Sequence, residues 1–271
     1  MTSSAPTEPA ISFESVRIGF EYGDVLRDVT FSVAAGETKV LAGETGTGKT
    51  LLLKMAAGLV RPDAGRVTVL GKNVTAMSEE ELLDFRREMG VVFQEGALFD
   101  SMSVAENVAF RLLEEGADLA AVEGQVREAL RFVEMEHAID KLPGELSGGM
   151  RRRVSIARAL ITKPKIVLYD SPTAGLDPVT AQTIITLIVR LRDLYDVTAL
   201  LVTHRLQDAF ALAHYRFDES SGAMVPASHN GAGARAAATN FVVLRDGGIY
   251  FEGGPVAIKD SQDPYVRRFL V

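Results

Sequence analysis

Residues 38–50 read TKVLAGETGTGKT, and this stretch decides the fold. Its first five residues form a short apolar run that is typical of a buried strand. The next eight, GETGTGKT at 43–50, fit the pattern G-x-x-x-x-G-K-[ST]. Residues 50–57 then follow a helical pattern that Gly58 is suited to end. A strand, a glycine-rich turn and a helix in this order predict a phosphate-binding loop.

The residue types in this turn explain why it suits a phosphate chain. Glycines allow the backbone to wrap closely around phosphate oxygens, so that N–H groups and the N-terminus of the next helix face the anion. Lys49 is expected to reach the β- and γ-phosphates, and the Thr50 hydroxyl to bind Mg²⁺. The alternative is a glycine-rich strand-to-helix turn without a ligand. The residues expected to surround the phosphates are Gly43, Glu44, Thr45, Gly46, Thr47, Gly48, Lys49 and Thr50.

Such a loop needs an acidic group from a second strand to complete a metal site. Asp170 follows the apolar run IVLY at 166–169, and the carboxyl ends of parallel strands form the binding edge of an open α/β sheet. Asp170 is therefore the candidate carboxylate. Taken alone, an aspartate at the end of a strand is more often a turn residue.

The composition excludes several classes of protein. The chain has 271 residues, of which 47% are hydrophobic, enough for one large domain or two small ones. It has no cysteine, so a disulfide framework, a thiolate nucleophile and Cys-ligated zinc are excluded. With 36 acidic and 29 basic residues, its net charge of −7 argues against a nucleic-acid binder. Arg151, Arg152 and Arg153 do not change this, since three consecutive helical residues cannot share one face.

Hydropathy and the first residues indicate where the chain works. The mean hydropathy is +0.12, yet no run approaches the ~18 uninterrupted apolar residues of a membrane span. The first ten residues, MTSSAPTEPA, have neither the cationic nor the apolar region of a secretory signal. We therefore expect a cytosolic protein whose apolar excess lies in its core or on surfaces that another protein covers.

The first half of the chain divides into strands and an inserted helical part. Residues 1–10 are expected to be a loose tail, followed by β-like runs at 11–20 and 29–33. Ser78 and Glu81 form a capping box ahead of apolar residues at helical spacing, which predicts a helix over 79–89. Residues 94–163 are mainly helical in pattern, with segments at 104–113, 122–135 and 150–161, and predict a helical subdomain inserted into an α/β core.

The second half returns to the core. Two continuous apolar runs, 165–169 and 198–202, flank an amphipathic helix over 179–194, a pattern that is typical of parallel strands buried on both faces. Residues 218–240 are rich in Ala, Gly, Ser and Asn and predict a flexible surface insertion. The runs 241–244 and 248–252, around the turn Asp246-Gly247, predict a closing hairpin.

The segment LSGGM at 146–150 resembles the LSGGQ signature of ATP-binding-cassette (ABC) ATPases. Other motifs of that family occur in the same order: an aromatic A-loop residue, a Q-loop glutamine, a D-loop aspartate within AGLD (174–177) and a switch histidine. The resemblance covers nearly the whole chain apart from the tail and the 218–240 insertion. It implies one P-loop nucleotide-binding domain over 11–271, with a mostly parallel sheet, an N-terminal antiparallel β subdomain and an inserted helical subdomain. The matching residues are Tyr22, Gln94, Asp177 and His204.

The resemblance also implies how the residues act. ATP and Mg²⁺ are the expected cofactors, with Thr50, Gln94 and Asp170 at the metal and Lys49, Gln94, Asp170 and His204 as the catalytic set. Family members close as head-to-tail dimers, so the signature residues of one copy meet the ATP on the loop of the other. A helix N-terminus with a free hydroxyl suits that contact, because its N–H groups favour an anion. These signature residues are Ser147, Gly148 and Gly149.

Three features are similar to ATPase subunits of bacterial lipid transporters of the Mla (Mce) type. They are Met150 in place of Gln, the run QEGALFDSMSVAENVAF (94–110) and the ending DPYVRRFLV (263–271). The likeness implies phospholipid transport, a membrane permease seated in a groove near 94–108, and Mce-type lipid-binding and small regulatory subunits as further partners. It implies a peripheral location on the inner face of the cell membrane. An ABC ATPase for another substrate is the alternative.

The sequence departs from the family at the catalytic base. The family pattern places Glu after the strand-end Asp, where it polarises the attacking water, whereas this chain has Ser171. A Ser hydroxyl does not accept a proton near neutral pH, and loss of a general base costs roughly 10²–10⁴-fold in rate. Three interpretations remain: a naturally slow ATPase or switch, a laboratory trapping substitution, or a water oriented by His204, Gln94 or another group, which keeps useful turnover.

Overall fold

The computed structural model describes residues 8–21, 23–227 and 239–270. Within these residues the elements follow one another as β1 (Ile11–Phe20), β2 (Gly23–Val33), β3 (Thr38–Gly43), α1 (Lys49–Ala56), β4 (Ala64–Val69), β5 (Lys72–Asn73), α2 (Glu79–Phe85), β6 (Met89–Val92), α3 (Val104–Glu114), α4 (Leu119–Phe132), α5 (Gly148–Leu160), β7 (Ile166–Asp170), α6 (Pro178–Tyr195), β8 (Thr198–Val202), α7 (Leu206–His214), β9 (Tyr215–Asp218), β10 (Ala223–Pro226), β11 (Thr239–Arg245), β12 (Gly248–Gly253), α8 (Pro255–Lys259) and α9 (Pro264–Arg267).

A six-stranded sheet in the order β12-β11-β3-β8-β7-β6 forms the centre of the molecule. Strands β11, β3, β8, β7 and β6 run parallel, and only β12 pairs antiparallel with its neighbour. The carboxyl ends of β3, β7 and β8 therefore lie side by side at one edge. That edge is where an open parallel sheet binds its ligand.

The central strands are apolar along their whole length because both faces of the sheet are covered. On β3, Val40 and Ala42 belong to the hydrophobic cluster that includes α4, α5 and α6. Leu41, between them, belongs to a second cluster that includes α1 and the antiparallel sheet. Alternate side chains of a strand point to opposite faces, so a continuous apolar run satisfies both cores.

The N-terminal sheet is antiparallel, in the order β2-β1-β4-β5. Helices α3, α4 and α5 form the layer inserted between β6 and β7. The observed architecture confirms the predicted α/β core with an antiparallel β subdomain and an inserted helical subdomain.

The structure corrects the predicted end of the helix that begins after Ser78. The capping box is confirmed, since the Ser78 side chain accepts from the Glu81 N–H and the Glu81 carboxylate accepts from the Ser78 N–H. The α-helix ends at Phe85 rather than at 89, and Met89 begins strand β6. Met89 is buried, and one apolar position alone fits the period of a helix and the alternation of a strand equally well.

Two predictions of loose structure need correction. Within 218–240, residues 223–226 form β10, which pairs antiparallel with β9, while β11 begins at Thr239. The remaining part, 228–238, lies outside the described residues. Of the predicted tail, residues 1–7 also lie outside, whereas Ala10 is buried and its carbonyl accepts a hydrogen bond from the Leu70 N–H.

Smaller differences concern element ends. Strand β2 begins at Gly23, six residues before the predicted start at 29, because it pairs along nearly the whole of β1. Helix α4 begins at Leu119 instead of 122, since Asp118 caps it by accepting from the Ala120 N–H. The signal that marks this start is the Asp118 cap, which apolar periodicity alone does not register.

Candidate nucleotide-binding site

The loop between β3 and α1 has the backbone geometry that the glycine pattern predicts. Gly43, Gly46 and Gly48 all have positive φ, at 142°, 86° and 92°. A Cβ at Gly43 would lie 2.6 Å from the Leu244 carbonyl oxygen, so a larger residue does not fit there. Gly48 is the N-cap of α1 and has no side chain to satisfy the free N–H groups. Those N–H groups remain available for an anion.

Lys49 is the charged centre of this loop. Its Nζ donates to the carbonyl oxygens of Gly43 and Glu44, at 2.8 and 2.7 Å, and lies 3.3 Å from the Thr47 hydroxyl. Burial lowers the pKa of Lys49 to about 8, although the charges of Asp170 and Glu44 oppose the decrease. The ammonium group is thus held, largely protonated at neutral pH, among groups that a phosphate can replace.

Two hydroxyl groups converge on one oxygen of Asp170. Thr50 Oγ1 lies 3.4 Å from Asp170 Oδ1, and Ser171 Oγ lies 3.3 Å from the same oxygen. Asp170 ends β7 and Thr50 lies in the first turn of α1, so the two meet only through the fold. A hydroxyl and a carboxylate at this separation are oxygen ligands of the kind that Mg²⁺ prefers.

Ser171 occupies a constrained position. Its φ is 49°, in the left-handed region, and its side chain is buried. Its N–H donates to the Val202 carbonyl at 2.9 Å, which fixes it to the end of β8. Ser171 is therefore firmly placed beside the Asp170 carboxylate, but its hydroxyl supplies no basic group.

Gln94 and His204 reach the same cavity as the phosphate loop. One cavity is lined by Thr45, Gly46, Gly48, Lys49 and Thr50 together with Gln94 and His204. Burial lowers the pKa of His204, the charge of Lys49 lowers it further, and that of Asp170 opposes them. Neutral His204 beside the site would act as a hydrogen-bond donor or acceptor rather than as a fixed cation.

The signature segment lies away from this cavity. Ser147 is the exposed N-cap of α5, and its hydroxyl accepts from the Met150 N–H at 3.3 Å. Gly149 packs so closely that a Cβ would come within 2.3 Å of a Thr180 methyl carbon. Ser147 and Gly148, by contrast, are exposed, so the start of the helix lies at the surface. Gly148 lines a different cavity that also reaches Gln94.

Asp177 has a structural role that the motif alone does not reveal. It is the N-cap of α6, accepting from the N–H groups of Val179 and Thr180 at 3.1 and 3.0 Å. Hydrogen bonds from Thr180 lower the pKa of Asp177. The loop before Asp177 is tied to α7, because the Thr173 hydroxyl donates to the Asp208 carboxylate at 2.5 Å.

Tyr22, the predicted A-loop aromatic, lies outside the described residues.

Arg152 is a residue that sequence reasoning missed. It is buried on α5 and lies within hydrogen-bond range of three carbonyl oxygens: Phe93 at 2.9 Å, Ser171 at 3.4 Å and Ala174 at 3.4 Å. Burial lowers the pKa of Arg152, while the charges of Glu95 and Asp170 raise it. The residue links the segments before Gln94 and after Asp170. Nothing in the run Arg151-Arg152-Arg153 distinguishes the buried member.

A phosphate loop whose lysine and threonine meet a strand-end aspartate at the edge of a parallel sheet defines a P-loop nucleotide-binding domain. The family model described as ABC transporter matches residues 26–174. The chain therefore belongs to the ABC transporter family, in its ATP-binding part. Within the described residues, no helix combines the length and apolar character needed to cross a bilayer.

Two curated relatives show how the family varies. A protein of Mycobacterium leprae (strain TN), named probable ribonucleotide transport ATP-binding protein mkl, is 40% identical over 205 residues, 75% of this chain and 59% of the relative. A protein of Paraburkholderia xenovorans (strain LB400), named methionine import ATP-binding protein MetN 2, is 38% identical over 206 residues, 74% and 53% of the two chains. The chain thus spans between half and three fifths of the length of these relatives.

Solved structures agree with the fold. A dimeric ATP-binding cassette, described as a post-hydrolysis state bound to ADP and Pi, has a TM-score of 0.74 at 26% identity and covers 90% of this chain and 98% of its own. The cbiO1 protein of Clostridium perfringens, described as part of the ABC transporter complex cbiONQ, has a TM-score of 0.76 at 25% identity, covering 94% and 92%.

Proposed function

We propose that the chain is the ATP-binding and ATP-hydrolysing subunit of a membrane transporter. The observation that carries this proposal is the convergence of Lys49, Thr50 and Asp170 at the sheet edge, with Gln94 and His204 lining the same cavity. These five residues come from four separate segments of the chain. A structural turn has no need of a buried lysine held only by carbonyl and hydroxyl oxygens.

The site residues fit ATP with Mg²⁺. Thr50, Asp170 and Gln94 would hold the metal, which would neutralise charge on the phosphates. Lys49 would leave the carbonyls of Gly43 and Glu44 for phosphate oxygens, and the free N–H groups at the start of α1 would complete the cradle. His204 would donate to the γ-phosphate as charge develops there.

The position of the signature segment supports a head-to-tail dimer. Ser147, Gly148 and Gly149 begin an exposed helix N-terminus that does not line the cavity of their own phosphate loop. A second copy could bring that N-terminus, with its N–H groups and positive helix end, to the γ-phosphate. ATP would then act as a bridge between two copies, and its hydrolysis would release them.

The helical subdomain supports a permease as the further partner. Asn107 is fully buried and holds the loop before α3: its Oδ1 accepts from the Phe99 N–H at 2.8 Å, and its Nδ2 lies within hydrogen-bond range, 3.0 Å, of the carbonyls of Phe99, Met102 and Ser103. Phe99 remains 41% exposed on this ordered loop. A rigid surface with an exposed aromatic residue suits a protein contact. The chain would thus work at the cytoplasmic face of a membrane through its permease.

We propose phospholipid as the transported substrate, together with Mce-type and small regulatory subunits. The support is the likeness of Met150, of residues 94–110 and of the ending 263–271 to Mla-type subunits. The alternative is another substrate, since similar proteins carry names for ribonucleotide transport and methionine import. Co-purification of the chain with its permease, followed by lipid analysis of the complex, separates the two: bound phospholipid supports the first, and its absence supports the second.

Ser171→Glu tests the hydrolytic part of the proposal. We expect this variant to hydrolyse ATP at least several-fold faster than wild type, because a carboxylate beside Asp170 could polarise the attacking water, an effect worth roughly 10²–10⁴-fold. The backbone at Ser171 is already in the left-handed region, so Glu adds no new backbone strain there. ATP affinity should change little. Phosphate release at saturating ATP, with and without permease, measures the effect.

The matched control is Ser171→Gln, which has the same side-chain length as Glu but no basic group. It should stay at or below the wild-type rate. Equal turnover of all three proteins in the presence of permease would contradict the idea that the missing Glu limits the rate. That result would favour a water oriented by Gln94 or His204.

A further inference from the structure

The last helix of the described chain packs against the phosphate loop. Tyr265, on α9, is buried, and its hydroxyl donates to the Leu244 carbonyl at 3.0 Å. That carbonyl oxygen is the atom that would lie 2.6 Å from a Cβ at Gly43. Leu244 and Gly43 are direct partners in the β11–β3 register. The hydroxyl of Tyr265 thus reaches the first residue of the phosphate loop through a single carbonyl group.

A second contact joins Arg268, the residue that follows this helix, to the next residue of the loop. Arg268 Nη1 lies 3.2 Å from Glu44 Oε1, with the side chains 69% and 55% exposed. An ion pair this exposed contributes little by itself. Burial raises the pKa of Tyr265, and a backbone hydrogen bond from Glu44 lowers it. Tyr265 therefore provides the buried contact and Arg268 an outer one.

Neighbouring side chains fix Tyr265 in place. Asp263 caps α9 and accepts from the Tyr265 N–H at 2.8 Å, while the Tyr250 hydroxyl donates to Asp263 at 2.6 Å. The Tyr250 ring packs edge to face on the Tyr265 ring, with centroids 5.3 Å apart, and the Arg245 guanidinium lies beside both, 5.0 Å from the Tyr250 centroid and 4.7 Å from that of Tyr265. The Phe269 ring also packs edge to face on Tyr265, at 5.3 Å, and a ring with several packing partners can hold its hydroxyl in one position.

The contacted residues are those that hold Lys49. The carbonyls of Gly43 and Glu44 accept the Lys49 ammonium, and Tyr265 and Arg268 bear on these same two residues. We propose that Tyr265 is a positioning residue for nucleotide binding: its hydrogen bond to the Leu244 carbonyl fixes the position of Gly43, the first residue of the phosphate loop. This inference rests on the proposed function of that loop. Tyr265 itself does not touch the nucleotide.

The test is Tyr265→Phe in the full chain, which removes one hydroxyl and keeps the ring. The KM for Mg-ATP and the dissociation constant for Mg-ADP should both rise by about 2- to 10-fold, the range for loss of one hydrogen bond. The kcat should stay within about 2-fold of wild type, because the catalytic residues are unchanged. Without nucleotide, the thermal midpoint should fall by about 1–6 °C, as expected for loss of one buried hydrogen bond, and the increase in that midpoint on adding Mg-ADP should shrink as well.

Tyr195→Phe is the matched control, because it removes the hydroxyl of a half-exposed tyrosine at the end of α6. It should leave KM unchanged. Lys49→Ala tests the loop itself. If Lys49→Ala loses ATP binding while Tyr265→Phe keeps the wild-type KM, the loop is the nucleotide site and the role of Tyr265 is overturned. If Lys49→Ala binds ATP as tightly as wild type, the proposed function itself fails.

Discussion

Arg152 and Arg153 are neighbours on α5 with different surroundings. Arg152 is buried and reaches the carbonyls of Phe93, Ser171 and Ala174, whereas Arg153 forms a long ion pair with the exposed Glu134 at 3.5 Å. The sequence predicts that both are helical but not which is buried, because the acceptors of Arg152 come from segments that only the fold brings together. The phosphate loop, by contrast, is contiguous, and its residue types can be recognised directly.

Arg152→Gln should lower the free energy of unfolding by about 1–3 kcal/mol, because buried carbonyl groups lose a charged donor and Gln is too short to replace it. Arg153→Gln, with the same chemistry at a more exposed position, should change it by less than about 0.5 kcal/mol. Urea denaturation of the two variants measures the difference. Similar losses in both would contradict a specific role for Arg152 in joining these segments.

Elements were predictable wherever a local signal marks them. The capping box at Ser78 and Glu81, the strand–turn–helix at 38–57 and the closing hairpin around Asp246-Gly247 all have such signals, and the structure contains each of them. The start of β6 has no such signal, and Met89 fits the helical period of the preceding residues, so the sequence predicts helix where the strand begins. Strand β10 has no local signal either, because small and polar residues surround it. It pairs with β9, which is held in place by hydrogen bonds to Arg192 and Asp193 on α6.

The loop before α3 gives a prediction at the scale of an element. Asn107→Ala should lower the free energy of unfolding by about 1–3 kcal/mol, because the Phe99 N–H and three carbonyls lose their buried partner. Basal ATP hydrolysis should change little, whereas stimulation by the permease should fall. Denaturation and paired ATPase assays measure the two effects.

Gln125→Ala is the control for this variant, since it removes a side-chain amide from an exposed position of the same subdomain. Its stability and permease response should match wild type. Full permease stimulation of a folded Asn107→Ala protein would show that the loop before α3 is not the contact surface.

At the scale of the whole molecule, the two parts of the proposed ATP site, the phosphate loop and the signature segment, lie apart within one copy. The phosphate loop lies at the edge of the sheet, while Ser147 begins α5 on the inserted helical layer, outside that cavity. The order of the motifs made the family recognisable from sequence, because each motif is short and contiguous. The sequence does not predict how far apart the motifs lie in space within one copy, since that distance depends on how the helical layer packs on the sheet.

Ser171 makes the dimer accessible to measurement. Without a general base, hydrolysis should be slow, so a dimer closed on ATP should persist while the residues that bind ATP are intact. Ser147→Arg places a bulky cation at the exposed helix N-terminus and should block closure without touching the phosphate loop. Ser101→Arg, at an exposed serine before α3, is the matched control.

The most direct measurement is the mass of the purified chain by light scattering, with Mg-ATP, with Mg-ADP and without nucleotide. We predict that wild type and Ser101→Arg become dimeric with Mg-ATP only, and that Ser147→Arg binds ATP but stays monomeric. A wild-type chain that binds Mg-ATP yet remains monomeric, or a Ser147→Arg protein that dimerises as readily as wild type, would contradict a cassette that closes head to tail on ATP.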